Sequence, residues 1–234
     1  MDIKSDIHIM EMNDKLYQRL KQSELVIHAK VESVLRQISS WKYATHEFYV
    51  PAPYQNELAG LPNGRIRKNI EEKDRLKIAG LYSFGFNAEG KILCSQEAPD
   101  NIENGIITDI YEYDNAFSYY VYHVKYIPNQ YTTIISISYF YPYHEMSYFY
   151  PYHEMNIFQG INSYRDWSVY LYEYDKERIS KVHRYASRWG NMPAEEYNFA
   201  YENNLLCAIV GEKRLKNGEL YIHWKNKKVY NKER

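Results

Sequence analysis

Residues 170–182 read YLYEYDKERISKV, and this stretch predicts the fold more clearly than any other part of the chain. Three tyrosines alternate with other residues in its first half, which is typical of a β-strand that presents one aromatic face. Asp175 and the polar residues after it favour a tight turn. Residues 179–182 then form a second β-prone run, so the whole stretch predicts an antiparallel hairpin.

The same pattern recurs between residues 80 and 224, where alternating aromatic residues precede a short polar turn and a second apolar run. The last aromatic residues of the five units are Phe86, Tyr113, Tyr141, Tyr174 and Tyr201. Their spacings of 27, 28, 33 and 27 residues indicate a degenerate repeat. Because the connections are short, the units predict five hairpins, or about ten strands, in one antiparallel meander. A closing strand is predicted at residues 219–224, after a tight turn at Asn217-Gly218.

A nine-residue tandem duplication interrupts this repeat. Residues 138–146 and 147–155 both read SYFYPYHEM, and removing one copy shortens the 33-residue spacing to 24. Side chains on a strand alternate between its two faces and nine is odd, so the two copies would face opposite ways in one unbroken strand. A bulge, a turn or a looped-out copy is therefore predicted, with two strand alignments close in energy.

Residues 14–38 predict one long helix, capped by Asn13 or Asp14. Its apolar residues lie three, four or seven positions apart and form one stripe: Leu16, Leu20, Ile27, Val31, Val34, Leu35 and Ile38. At 1.5 Å per residue, such a helix would be about 35 Å long. We expect it to lie across one face of the sheet, because the sequence contains no second helix of similar quality.

These elements predict a single α+β domain, mainly β, over residues 1–234, in which an N-terminal helix covers a large antiparallel meander sheet. The expected parts are a helical segment at 1–41, a loop at 50–64, the repeated hairpins at 80–224 and a basic tail at 225–234. Between them, residues 65–77 carry charges of both signs, which favours a solvated helix or an edge strand. An anion-binding patch at Arg65, Arg67 and Lys68 is the alternative interpretation of that stretch.

Composition limits the classes of partner. The formal net charge of −1 gives no general attraction to nucleic acid or to an anionic membrane. The N-terminus lacks the apolar region of a secretory signal, and no apolar run approaches the ~18 residues of a membrane span. We therefore expect a cytoplasmic protein with neither nucleic acid nor membrane as a partner. Cys94 and Cys207 lie in apolar runs and are expected to be buried, unpaired residues.

Histidines provide the candidate chemistry. His46 stands beside Glu47, and His123 lies among tyrosines; a histidine close to a carboxylate suits general acid–base catalysis. The duplicated word supplies His144-Glu145 and His153-Glu154, whose spacing reflects copying rather than a metal-ligand pattern. Nucleotide-binding and nucleophile motifs are absent from the sequence, so neither a cofactor nor a resident metal is predicted.

Tyrosine is the unusual component of the chain, with 27 residues. Tyrosine rings are enriched where proteins bind one another, because a rigid ring buries a large area at low entropic cost. The candidate binding residues on the predicted sheet are Tyr113, Tyr120, Tyr122, Tyr139, Tyr141, Tyr172 and Tyr174. Cross-strand aromatic ladders that stabilise the sheet are the structural alternative, and the two roles are compatible.

The hairpin at residues 172–182 resembles the YD repeat of Rhs-type proteins, which runs Tyr-x-Tyr-Asp, a turn, then Arg-Leu or Arg-Ile and a β-branched residue. Tyr172, Tyr174, Asp175, Arg178, Ile179 and Val182 match this pattern. Glu177 replaces the family's turn glycine, and the other units lack the arginine. The resemblance implies repeated hairpins. Small β-rich proteins of this style occur as immunity partners of bacterial toxins, so it also implies such a role by analogy of fold.

The sequence thus favours a non-enzymatic protein-interaction protein, of the intracellular immunity or inhibitor type, with another protein as its partner. The alternative is an enzyme, or a small-ligand or carbohydrate-binding protein, that uses a tyrosine-rich sheet face with His123 or His46. The sequence predicts no oligomeric state.

Overall fold

The computed structural model describes residues 7–49, 52–61, 64–115, 118–143, 155–162, 164, 166–175, 178–187, 195–203, 205–214 and 220–225. The helices within these ranges are α1 (Ile7–Ser23), α2 (Ile27–Arg36) and α3 (Gln55–Leu58). The strands are β1 (Ser40–Ala44), β2 (Ile66–Arg67), β3 (Tyr82–Phe86), β4 (Ile92–Glu97), β5 (Ile106–Tyr113), β6 (Tyr119–Ile127), β7 (Tyr131–Tyr143), β8 (Met155–Asn162), β9 (Trp167–Asp175), β10 (Arg178–Ala186), β11 (Glu195–Glu202), β12 (Leu205–Arg214) and β13 (Leu220–Lys225). Two 3-10 turns lie at Glu72–Asp74 and Ile102–Asn104.

All of these strands belong to one open sheet, in the order β13-β12-β11-β10-β9-β8-β7-β6-β5-β4-β3-β1-β2. From β3 to β13, each strand pairs antiparallel with its neighbours in sequence, which confirms the predicted meander of hairpins and the mainly β fold. The sheet has more strands than the ten predicted. The additional strand β1 pairs with β2 and β3, which follow it by more than twenty residues, and such distant pairing leaves no local hairpin pattern.

The duplicated word falls on the hairpin formed by β7 and β8. Residues 138–143 of the first copy complete β7, and Met155, the last residue of the second copy, begins β8 opposite Tyr143. Residues 144–154, which hold both His-Glu pairs, lie outside the described residues, as do the tail residues 226–234. The first copy therefore supplies the strand, while the predicted choice of two alignments stays a prediction.

The single helix predicted over residues 14–38 is wrong, because α1 starts earlier, at Ile7, and the helix is interrupted at residues 24–26. The break follows from packing: α1 lies against β7 and β8, whereas α2 lies against β4 and β7. One straight helix of this length would lose contact with a curved sheet at one end. The interruption at residues 24–26 therefore lets both helices bury their apolar stripes. Asn13 is not a cap either, since it lies buried inside α1.

Polar contacts fix the two helices to the sheet. The buried amide of Gln159 donates hydrogen bonds to the carbonyl oxygen of Ile9 (2.9 Å) and to Oδ1 of Asn13 (2.7 Å). Glu112 accepts a hydrogen bond from Arg19 of α1 (2.6 Å) and another from Lys30 of α2. Between these anchors, a large apolar core forms, to which each fully buried aliphatic side chain contributes about 1.5–3 kcal/mol. Its central residues are Leu16, Leu20, Ile27, Val31, Ile110, Tyr122, Val124 and Ile137.

The sheet curls around residues 45–49 and 52–61, which we call the covering segment. Tyr49 packs on Phe84 of β3, while the carbonyl oxygen of Leu58 accepts a hydrogen bond from His223 of β13 (2.5 Å). Ten strand spacings separate β3 from β13, about 48 Å in a flat sheet. The nine residue steps from Tyr49 to Leu58 can reach at most about 32 Å. The face under the covering segment is therefore concave, and the helices lie on the convex face.

The covering segment contains a helix, α3, where the sequence predicted only a loop at residues 50–64. Ala52 and Leu58 bring it onto a second apolar core with Tyr172, Val182 and Ile209. Tertiary burial explains this helix, because the sequence around it carries helix-breaking prolines. Cys94 and Cys207 are buried and unpaired, as predicted. Within the described ranges, the helices lack the combination of length and apolar character that crossing a bilayer requires.

Candidate functional site

A row of polar side chains crosses three central strands on the concave face. Ser95 of β4 stands opposite Asp109 of β5, which stands opposite His123 of β6. The hydroxyl of Ser95 donates to Oδ2 of Asp109 (3.2 Å), and Nδ1 of His123 lies 2.7 Å from Oδ1 of the same carboxylate. Because the strand register sets these neighbours, the sheet itself holds the imidazole of His123 in a fixed orientation.

Glu47 reaches the same row from the covering segment. Burial raises the pKa of its carboxyl to about 7, and the negative charges of Asp109 and Glu97 add to that effect while His123 opposes it. These mutual influences place Glu47 within electrostatic range of both members of the histidine–aspartate pair. We call Glu47, Glu97, Asp109 and His123 the His123 cluster.

The backbone around Glu47 is held by two contacts that depend on residue type. Its carbonyl oxygen accepts a hydrogen bond from Nδ2 of Asn56, at 2.8 Å. On the other side, Gly64 passes so close that a Cβ atom there would lie 2.4 Å from the carbonyl oxygen of His46 and 3.0 Å from that of Glu47. Only glycine allows this approach without displacing the backbone, so Gly64 helps to define where Glu47 stands.

The electrostatics of His123 reflect competing influences. Burial lowers the pKa of its imidazole, but the hydrogen bond and charge of Asp109, together with Glu47 and Glu97, outweigh burial and leave that pKa raised. The side chain keeps 38% of its surface exposed, against 11% for Asp109. Its second nitrogen, Nε2, has no hydrogen-bond partner among the described residues. The cluster therefore presents one oriented, solvent-accessible ring nitrogen beside a carboxyl group that titrates near neutrality.

Another histidine of the sheet, His183 of β10, has a contrasting environment on the convex face. Its Nε2 lies 2.8 Å from Oε1 of Glu173, and its Nδ1 lies 3.5 Å from Oε2 of Glu196. Glu196 also pairs with Lys181 at 2.7 Å. We call these four residues the His183 cluster. Both ring nitrogens of His183 face a carboxylate. The His183 cluster can therefore be compared with the His123 cluster, in which only one ring nitrogen does so.

The structure separates the two histidines that the sequence proposed for acid–base chemistry. His123 meets Asp109, a residue fourteen positions earlier that the sequence analysis did not single out. His46 is exposed and makes no hydrogen bond with the described part of the chain, whereas its neighbour Glu47 turns towards His123. Local sequence could not reveal this grouping, because it depends on strand register and on the path of the covering segment.

The seven candidate tyrosines lie on both faces of the sheet. Tyr120, Tyr122, Tyr139 and Tyr141 face the helices, and Tyr113, Tyr172 and Tyr174 lie on the concave face. Several hydroxyls have structural partners: those of Tyr122, Tyr139 and Tyr141 donate to Glu112 (2.9 Å), Asp114 (2.9 Å) and Gln159 (3.1 Å). Tyr122 and Tyr172 are buried. A binding role for the tyrosines stays a prediction, and it cannot use all seven as one surface.

A separate surface lies where the covering segment returns to the sheet edge. Phe48, Leu61 and Ile66 are 41%, 52% and 55% exposed. Hydrogen bonds link these parts of the chain: Leu61 N donates to the carbonyl oxygen of Asn56, and the side chain of Asn56 donates to the carbonyl oxygen of Glu47. Thr45 and Arg65 are joined by two further hydrogen bonds. Three exposed cations adjoin them, namely Arg65, Arg67 and Lys68. We call these six residues, Phe48, Leu61, Arg65, Ile66, Arg67 and Lys68, the rim surface.

The described part of the chain contains no group of three or more histidine, cysteine, aspartate or glutamate side chains that could hold a metal ion. The chain matches no protein-family model, and neither the curated proteins nor the solved structures compared with it give a match. The function of the protein is therefore inferred from the geometry of the rim surface and of the two histidine clusters.

Proposed function

We propose that the protein works by binding another protein at the rim surface. The observation that carries this proposal is the juxtaposition of exposed apolar side chains with cations that have no carboxylate partner among the described residues. Phe48, Leu61 and Ile66 are exposed and come from three parts of the chain, which hydrogen bonds between neighbouring residues link to one another. An apolar centre with a charged rim is the usual composition of a protein interface.

Charge indicates the chemistry of the partner. Arg65, Arg67 and Lys68 form no side-chain ion pair with the described residues, whereas nearby Lys73 is paired with Glu71 at 2.6 Å. Arg65, just before β2, and Arg67 lie on the other side of the strand from Ile66. Because β2 is the edge strand of the sheet, a partner at that edge can reach both sides. A partner with an apolar contact point and surrounding carboxylates complements this arrangement, and opposite charges would also speed its association. The proposed partner is therefore a protein with an acidic surface.

The YD-like hairpin motivates the finer part of the proposal. If the analogy with immunity partners of bacterial toxins holds, the protein acts in the cytoplasm as an inhibitor, and the acidic partner is the protein that it inhibits. The rim surface is compatible with this role because an inhibitor needs a contact area and no chemistry of its own.

Affinity capture from the native host, analysed by mass spectrometry, tests the proposal when it is run with two variants. Ile66→Asp with Arg67→Glu places negative charge at the centre of the rim surface. Leu205→Asp is the control, because Leu205 is equally exposed, at 60%, but lies on β12. We expect one stoichiometric acidic partner to bind the wild type and the control, to be lost from the double variant, and to bind less tightly as salt rises.

Crosslinking then locates the contact. Crosslinks from Lys68 to carboxylates of the captured protein would support the rim surface. A partner that binds the double variant as well as it binds the wild type would overturn the proposed site, and the absence of any stoichiometric partner would overturn the proposed function.

A further inference from the structure

We infer that His123 and Glu47 form a catalytic acid–base pair on the concave face, which hydrolyses a small, uncharged ester. This activity goes beyond protein binding at the rim surface and does not depend on it. Three structural observations support this activity. Ser95, Asp109 and His123 form a hydrogen-bonded row, and the half-exposed His123 side chain has no partner on Nε2 among the described residues. The contacts of Asn56 and Gly64 fix the backbone at Glu47, whose charge acts on both Asp109 and His123.

The row orients one proton donor. Asp109 binds Nδ1 of His123 at 2.7 Å, so Nε2 is the nitrogen left to face a substrate. Ser95 binds the other carboxylate oxygen of Asp109, which limits rotation of that carboxylate. Asp109 and Ser95 are thus positioning residues that act through the imidazole. A histidine held by a carboxylate on one nitrogen, with the other nitrogen open, is the arrangement that proton transfer to a substrate requires.

Glu47 supplies the complementary base. Burial and the neighbouring carboxylates raise its pKa to about 7, so its carboxylate is a stronger base than an exposed one. The pKa of His123 is raised as well, mainly by the hydrogen bond and charge of Asp109, which favours the protonated imidazole. The cluster with Glu47 ionised and His123 protonated combines a proton acceptor with a proton donor. Two titratable groups with shifted pKa values in one open site are typical of catalytic centres.

Charge selects the class of substrate. Glu47, Glu97 and Asp109 bring three carboxylates to one imidazolium, so a phosphate or carboxylate substrate would be repelled. Lys125, the next residue of β6 on this face, directs its alkyl chain to Gly105, which precedes β5 and lies four residues before Asp109. An uncharged ester avoids this repulsion, and its leaving alkoxide oxygen benefits from a proton donor.

The reaction step balances with water as the second reactant. Glu47 takes a proton from water as the water oxygen forms a bond to the carbonyl carbon of the ester. The bond from that carbon to the alkoxide oxygen then breaks, and the oxygen takes the proton of His123 Nε2. The products are an acid and an alcohol. The proton on Glu47 passes through solvent back to His123, which restores both groups.

Hydrolysis of ethyl acetate and ethyl butyrate in a pH-stat tests the inference on the full chain. We expect a bell-shaped dependence of the rate on pH, because Glu47, whose pKa is about 7, must be ionised and His123 must be protonated. His123→Gln and Glu47→Gln should each lower kcat/KM by about 100-fold or more. His183→Gln should keep the wild-type rate, because that residue lies on the convex face. Monoethyl phosphate should not be hydrolysed.

Asp109→Asn distinguishes positioning from general stability. It should lower kcat with little change in KM, and it should move the falling limb of the pH profile to lower pH, because His123 loses the carboxylate that raises its pKa. Far-ultraviolet circular dichroism confirms that each variant is folded. Wild-type rates equal to those of the His123→Gln variant would overturn the inference, and so would a wild type that hydrolyses neither ester. Turnover of the phosphate alone would overturn the substrate class.

Discussion

His123 and His183 occupy the same sheet and meet a carboxylate at almost the same distance, 2.7 and 2.8 Å, but their surroundings differ. His183 faces a second carboxylate with its other nitrogen and is 19% exposed, whereas His123 leaves Nε2 open and is 38% exposed. In the His183 cluster, Lys181 offsets part of the negative charge. The His123 cluster gathers three carboxylates around one histidine and gains no lysine.

The His183 cluster is thus an ion network that stabilises the fold, whereas the charges of the His123 cluster destabilise it. A closed network satisfies each of its groups, so removing any member should weaken the protein. The His123 cluster instead contains a carboxyl group that would be more stable uncharged, and strain of this kind is concentrated at functional sites. The two clusters should therefore respond to the same substitution with opposite signs.

Glu47→Gln should have the largest effect, and it should stabilise the protein. The pKa of Glu47 is raised to about 7 in the folded state from 4.5, so the stability that its protonated form provides is present below about pH 4.5 and is lost as pH rises through about 7. The variant should exceed the wild type by about 2 kcal/mol at pH 8, after allowance for partial exposure. At pH 4.5 the two should be equal, as measured by urea denaturation.

Glu196→Gln is the matched control for that experiment. Glu196 pairs with Lys181 and His183, so the same change from carboxylate to amide should lower stability at pH 8. If both substitutions change the free energy of unfolding in the same direction, the proposed difference between the stabilising His183 cluster and the destabilising His123 cluster is wrong.

Replacement of the histidines by glutamine should have a smaller effect and should rank them. Glutamine can donate one hydrogen bond in place of an imidazole. His123→Gln therefore keeps the contact with Asp109, while His183→Gln gives up one of two carboxylate contacts. We expect His183→Gln to cost about 1 kcal/mol more than His123→Gln in the free energy of unfolding at pH 7. Equal costs would mean that the second carboxylate of the His183 cluster contributes nothing.

Sequence reasoning located the elements better than it located these clusters. Period-two aromatics and polar turns are local signals, and they located the strands from β3 to β13 except β8, whose position the duplication obscured. His123 was also singled out, but its partner Asp109 was not, because a contact across two strands depends on register. Glu47 was noticed for its neighbour His46, although its charge acts on His123 instead. The path of the covering segment decides that outcome, and such a segment has no periodicity from which to predict its position.

Chemical modification should distinguish the two rings without any substitution. Diethyl pyrocarbonate reacts with an accessible, neutral imidazole nitrogen. At pH 8, His123 should react several-fold faster than His183, because its Nε2 is open and its side chain is twice as exposed. Exposed His46 provides the fast reference, and the urea-unfolded chain provides the limit at which all histidines react alike. Peptide mass spectrometry gives the rate at each site, and faster modification of His183 would contradict its closed environment.

The smallest change in stability is expected from deleting one nine-residue copy of the duplicated word, which lies between His123 and His183 in the sequence. The copies are identical, so removal of either one gives the same chain, equivalent to deleting 147–155. At present eleven residues separate the paired Tyr143 and Met155. In the shortened chain, Met146 would take the place of Met155, and His144-Glu145 would form a two-residue connection with the register of β7 and β8 unchanged. The nine extra residues therefore lie in the connection between β7 and β8, where their odd number does not invert the faces of either strand.

Two opposing contributions keep the net change small. Closing a shorter loop favours the folded state by about 1.5 kcal/mol. Against this, a two-residue hairpin prefers Asn-Gly or Asp-Gly, and His-Glu fits the required backbone poorly. We expect the free energy of unfolding to change by less than about 1 kcal/mol, with the imidazole NMR signals of His123 and His183 unmoved. Amide exchange in β7 and β8 should become uniform, because only one copy of the word remains to pair. Loss of either histidine signal from its wild-type position would show that the second copy makes contacts on which the clusters depend.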